Sequence, residues 1–223
     1  DERVLYVVTG ALVGGALFMR LGPWAQHLDP GENASLASQW LYGNRSVLGG
    51  LVGAWAGVHV TKRLVGYRMR TGDLFAPAVA AGMAVGRVGC LLTELPGTPT
   101  AGGWGLHLSP ARAAEFGVPA GVGLHPSFGY EIAFHTVAFA LLWGWARHQS
   151  LPPGETFVWY VAGYGVVRFA VEFVRGNEVA WLGLTRPQLF LLATVPIVLA
   201  RIAWQWHRGG YAALVLRPRT VRA

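Results

Sequence analysis

Arg168, Glu172 and Arg175 stand four and three positions apart at one end of an apolar stretch, Gly154 to Arg175. On a helix all three share a face, where each can pair with the next. A charge in hydrocarbon costs at least ~2.5–3.5 kcal/mol, so this face must look into protein or water. Other polar groups sit inside neighbouring apolar runs: Arg87 in the second half of one, and Tyr130, Glu131 and His135 near the start of the next. Guanidinium stays charged and offers planar, paired donors, which suits a phosphate. Glu172 would offset the excess positive charge and fix the Arg168 rotamer, while Tyr130, Glu131 and His135 are of the usual proton-transfer types. A plainer account remains open for each. The helical triad could be an intrahelical ion-pair ladder, Arg87 a donor to loop carbonyls, His125 a cap for the helix after it, His135 an interhelical hydrogen-bonder and Tyr130 an interfacial anchor.

The elements that must position these groups are apolar runs. The chain is 53% hydrophobic and 13% charged, with ten Trp and 31 Gly. Fewer charges than the usual quarter of a soluble domain, with long apolar runs, mark an all-α polytopic integral membrane protein. The net charge of +7 is carried by arginine and the single Lys62. Its basic residues cluster between apolar runs, which points to topology and anionic lipid rather than nucleic acid. Lone Cys90 excludes an intrachain disulfide, and no zinc-type Cys/His spacing or other cofactor pattern is present.

About six crossings are expected in a single membrane domain spanning 1–223: Val4 to Leu21, Arg45 to Val60, Leu74 to Leu95, Phe128 to Trp145, Gly154 to Arg175 and Pro187 to Trp206. A polar connection through Asp29, Glu32 and Asn33, then the Trp40 and Tyr42 pair, separates the first two runs. The stretch from Pro96 to about Pro126 is rich in Gly and Pro, too irregular for lipid, and reads as a head segment outside the membrane. Lys62, Arg63, Arg68 and Arg70, together with the tail arginines 208, 217, 219 and 222, place that loop and both termini in the cytoplasm. Arg87 and Arg168 then run outward to similar depth, and Tyr130, Glu131 and His135 enter from the outer side. One layer towards the outer leaflet collects them all, where the obvious phosphate is a phospholipid head group.

Three ordered blocks resemble the prolipoprotein diacylglyceryl transferase family: Gly86-Arg87-Val88-Gly89 followed by Cys90; His125-Pro126-Ser127 with Tyr130-Glu131; and Tyr164-Gly165 with Arg168, Glu172, Phe173 and Arg175. Gly10-Ala-Leu-Val-Gly-Gly and Ser46-Val-Leu-Gly49-Gly50 also look like that family's segments, so the likeness runs from about Gly10 to Gln188. The resemblance implies a bacterial cytoplasmic-membrane enzyme. It would move the diacylglyceryl group of phosphatidylglycerol to the thiol of a lipobox cysteine in a secreted precursor, releasing glycerol phosphate. It implies Arg87, Arg168, Glu172 and Tyr130 as catalytic residues. Arg175, Glu131, His125, Tyr164, Gly86, Gly49, Gly50 and Cys90 would bind substrate. No cofactor, metal or nucleic acid is implied.

Departures from the family pattern are local. Leu48 stands where the family has His before Gly-Gly, Cys90 and Thr93 where it has Asn, Leu95 where it has an acidic residue with Glu94 adjacent, and Phe128-Gly129 where it has Gln-Leu. On the resemblance the family's first helix has no counterpart here. These differences keep two alternatives in view: a related phospholipid-using transferase with another acceptor, and a non-catalytic lipid-binding membrane protein.

Overall fold

The computed structural model describes residues 2–24, 35–43, 45–212 and 214. The connection through Asp29, Glu32 and Asn33 and the tail arginines 217, 219 and 222 lie outside the described residues. The chain is mostly helical, and among the described residues three helices are long and apolar enough to cross a membrane: Arg3–Pro23, Gly72–Thr93 and Arg186–His207. It divides into two compact units, Asp1–Met69 and Arg70–Ala223.

The first unit is built on α1 (Arg3–Trp24) and α3 (Val47–Leu64), with short α2 (Leu36–Tyr42) between them. α1 and α3 run antiparallel along a seam of small residues. A Cβ on Gly57 would lie 2.0 Å from the Gly10 carbonyl oxygen, and one on Gly14 would lie 2.2 Å from that of Gly53. The backbones touch because no side chain intervenes, which is how membrane helices gain contact when lipid offers no hydrophobic drive. Gly49 packs against the Phe18 carbonyl and Gly50 against Met19 in the same seam. Ser46 caps α3 by accepting from the Gly49 amide.

The second unit comprises α4 (Gly72–Thr93), α5 (Pro110–Glu115), α6 (Ser127–Gly144), α7 (Glu155–Glu172) and α8 (Arg186–His207). α4 packs on α6 and α7, α6 packs on α7, and α7 packs on α8. Ala76 and Ala80 of α4 let it close on Leu142 and Tyr160, with Ala146 beyond α6 completing this core. The N-terminus of α7 is fixed from α4: Asp73 accepts from the amides of Gly154 at 2.5 Å, Thr156 at 2.9 Å and Phe157 at 3.4 Å. A carboxylate there satisfies orphan donors and meets the positive end of the helix dipole. Glu155, buried beside it, receives the Arg201 guanidinium in a paired contact at 2.5 and 3.2 Å and the Tyr211 hydroxyl at 2.6 Å.

Between α4 and α6 the chain is more regular than its composition suggests. β1 (Leu106–His107) pairs antiparallel with β2 (Gly123–Leu124), Ser109 caps α5, and Pro99 bridges to Leu124. A second hairpin joins α7 to α8, with β3 (Val179–Trp181) against β4 (Leu184–Thr185). Leu182 and Gly183 turn it at φ 50° and 74°.

Candidate functional site

Alternating helix directions bring the later part of α4, the start of α6, the end of α7 and the start of α8 to one end of the second unit. Arg87 lies ~22 Å along α4 and Arg168 ~20 Å along α7 at 1.5 Å per residue. Glu131, with no exposed surface, is the hub between them. Its Oε2 lies 2.7 Å from Arg87 Nε, its Oε1 3.0 Å from Arg175 Nη1 and 4.0 Å from Arg168 Nε. Arg87 also donates to the Tyr164 hydroxyl at 3.1 Å, and that hydroxyl donates on to Glu131 at 3.3 Å. α4, α7 and the turn after α7 therefore converge on one carboxylate of α6.

Arg168 forms a buried ion pair with Glu172 one turn on. Arg175 departs from the expected face. α7 ends at Glu172, so Arg175 stands in the turn beyond it and pairs with Glu131 and, at 3.4 Å, with Glu94 at the end of α4. The intrahelical ladder consequently stops after its first rung. Phe128 lies under the Arg175 guanidinium, 4.2 Å from ring centroid to Cζ, a favourable cation–π contact.

The charge count decides what this cluster can hold. Arg87, Arg168 and Arg175 meet two buried carboxylates, Glu131 and Glu172, and the third that balances them is Glu94, on Arg175. Glu94, its side chain 52% exposed, sits at the rim. Buried like charges held this close need an anion or strong hydrogen bonding. An oxyanion with several acceptors, such as a phosphate ester, supplies both.

Other anticipated residues fall into distinct places. Tyr130 and His125 bond each other, hydroxyl to Nδ1 at 3.2 Å, and the His125 ring packs edge-on to Trp104 of the α4–α6 connection at 5.1 Å. Cys90 touches the Arg87 guanidinium through sulfur at 3.9 Å. His135 is fully buried with its Nδ1 at 3.0 Å from the Tyr160 hydroxyl, an interhelical bond of the plain kind. Gly86 faces open space, and Gly49 and Gly50 belong to the helix seam of the first unit.

Sequence reasoning missed several neighbours. Gly97 admits no side chain, since a Cβ there would lie 2.5 Å from the Val174 carbonyl and 2.7 Å from that of His125. This close approach locks the α4–α6 connection onto the turn carrying Arg175, with the Thr98 amide donating to the Val174 carbonyl at 2.8 Å. Asn177 and Thr185 bond the charged cluster from either side of the β3–β4 hairpin, where no helical periodicity marks them, and Glu94, at the end of α4, pairs with Arg175.

Comparison with known proteins gives a consistent result. The family model for prolipoprotein diacylglyceryl transferase matches residues 1–206. A relative from Leifsonia xyli is 30% identical over 93% of this chain and 66% of its own length. One from Cupriavidus metallidurans is 29% identical over 97% and 79%, and one from Dehalococcoides mccartyi 31% identical over 92% and 79%. Each relative is named phosphatidylglycerol–prolipoprotein diacylglyceryl transferase.

Proposed function

The chain belongs to the prolipoprotein diacylglyceryl transferase family, and from that premise we propose that it transfers the diacylglyceryl group of phosphatidylglycerol to a cysteine thiol of a lipobox-bearing secreted precursor. The observation that carries this reading is the buried cluster of Arg87, Arg168 and Arg175, three guanidinium groups over two buried carboxylates, Glu131 and Glu172, with Glu94 at the rim. A thiolate attacks the diacylglyceryl carbon, the carbon–oxygen bond to phosphate breaks, and glycerol phosphate departs with one more negative charge than the diester carried. Arg87 and Arg168 hold that phosphate and stabilise the charge as it develops. Arg175 and Glu131 complete the cradle, and Tyr164 fixes Arg87.

The thiolate, not the thiol, is the nucleophile. The hydrogen-bonded Tyr130 and His125 pair, half-buried under the head segment, is the proton acceptor assigned here. In this reading α1, α3, α4, α6, α7 and α8 all cross the cytoplasmic membrane, both termini lie inside, and residues 96–126 form the outer head. The 18-residue helices α3, α6 and α7 extend ~27 Å, close to the hydrocarbon thickness.

Purified protein in phosphatidylglycerol liposomes should release glycerol phosphate when given a lipobox peptide. His125→Ala, which removes the imidazole that takes the proton, should lower that rate ~100-fold, the lower range for loss of a general base, with phosphatidylglycerol affinity unchanged. No release under conditions where an established family enzyme works would overturn the assignment. Leu48, where the family has His, favours a second reading in which another acceptor takes the diacylglyceryl group. A new phosphatidylglycerol-derived species in lipid extracts, formed without peptide, would support it.

A further inference from the structure

Glu172 is held on both of its oxygens. Oε2 pairs with Arg168, while Oε1 accepts from Asn177 Nδ2 at 2.7 Å and from Thr185 Oγ1 at 2.8 Å. Asn177 lies two residues before β3 and Thr185 ends β4, so the carboxylate is gripped from both sides of the hairpin. Thr185 is arranged to do this without giving up its other task. Its hydroxyl hydrogen goes to Glu172, and its oxygen still accepts the Gln188 amide at 3.4 Å as the cap of α8.

A glutamate side chain has three rotatable bonds, and a single ion pair would let it swing with its partner. Two donors on Oε1 remove that freedom and leave Oε2 one direction in which to meet Arg168. Glu172 is buried, so each lost donor would also leave a carboxylate oxygen undersatisfied. We propose that Asn177 and Thr185 are positioning residues for the phosphate site: acting through Glu172, they hold the Arg168 guanidinium in the orientation that receives the lipid phosphate. The inference rests on the proposed role of Arg168 as a phosphate ligand.

The test is phosphatidylglycerol binding by the full chain, titrated in phosphatidylcholine vesicles of rising phosphatidylglycerol content. Arg168→Ala should bind weakest. Asn177→Ala and Thr185→Ala should each weaken binding about tenfold, the low end of what loss of a partner behind a charged ligand costs. Thr185→Ser, which keeps the hydroxyl, should restore wild-type affinity. Asn177 is solvent-exposed and caps no helix, so its variant is expected to fold. In a Glu172→Gln background the further effect of Asn177→Ala should vanish, because the route runs through the carboxylate.

If Arg168→Ala weakens binding while Asn177→Ala and Thr185→Ala match wild type, the positioning role falls and the phosphate reading stands. If the Asn177→Ala effect persists undiminished beside Glu172→Gln, the residue acts by another route and the role again falls. Unchanged binding in Arg168→Ala would overturn the phosphate reading and this inference with it.

Discussion

At the scale of residues, Glu131 keeps three guanidinium groups from facing one another unscreened. Glu131→Gln keeps the shape of the side chain and removes the charge shared by Arg87, Arg168 and Arg175. Removing one member of a buried ion pair typically costs ~3–5 kcal/mol. Thermal unfolding in detergent should show a loss of that size. Phosphatidylglycerol should recover part of it, since its phosphate restores negative charge to the same cluster. Arg87, Glu131, Arg168 and Glu172 were legible from sequence, because an ionisable residue within an apolar run needs a protein partner and helical spacing says on which face. Asn177 and Thr185 were not, since residues in and beside a short hairpin between helices carry no helical period and their partners depend on how the chain returns.

At the scale of elements, the six apolar runs reappear as α1, α3, α4, α6, α7 and α8 with ends shifted by a few residues, because burial length and period are properties of the chain itself. The end of α7 was harder to place. Arg175 continues the helical spacing on paper, yet the backbone leaves the helix after Glu172, and tertiary contacts with Glu131 and the α4–α6 connection outweigh the local ion pair. Glycine spacing, in contrast, translated directly into the α1–α3 seam. Gly57→Ala would press a methyl group against the Gly10 carbonyl, where a Cβ has only 2.0 Å. The helices would have to separate, at a cost of ~1–3 kcal/mol for overpacking, measurable as a lower melting temperature. Gly86→Ala, with nothing within 4 Å of its Cβ in the interior of α4, should instead raise the melting temperature slightly, since Gly inside a helix costs ~0.5–1 kcal/mol relative to Ala.

The far end of α7 carries a pH response. Burial and its bond to Glu155 raise the Tyr211 phenol above its ordinary value of about 10. A raised folded-state value means that the bond's contribution is complete below pH ~10 and is lost as pH climbs through the raised value. Melting temperature should therefore hold up to about pH 10 and fall beyond it. Tyr211→Phe should start lower and lose less over that alkaline interval; an equal fall in both proteins would show that another group governs it.

At the scale of the whole molecule, the proposed orientation makes opposite demands on the two ends of the second unit. The arginine cluster must meet lipid from the outer leaflet, whereas Arg70, which donates to the Pro153 carbonyl at 2.9 Å, must lie on the cytoplasmic side with the α6–α7 connection. Basic loops favour that side by topology rather than by folding energy, so the orientation can be read separately from stability. In a Cys90→Ser background, a cysteine at exposed Ala101 in the head segment and one at exposed Ser150 before α7 should behave oppositely. A membrane-impermeant maleimide should label Ala101→Cys from outside spheroplasts and Ser150→Cys only after lysis. Equal labelling of both from outside would place the two connections on one side. α6, which begins two residues after His125 and ends before Ala146, would then not cross the membrane. The depth matching of Arg87 with Arg168 would lose its membrane frame, although their convergence on Glu131 would stand.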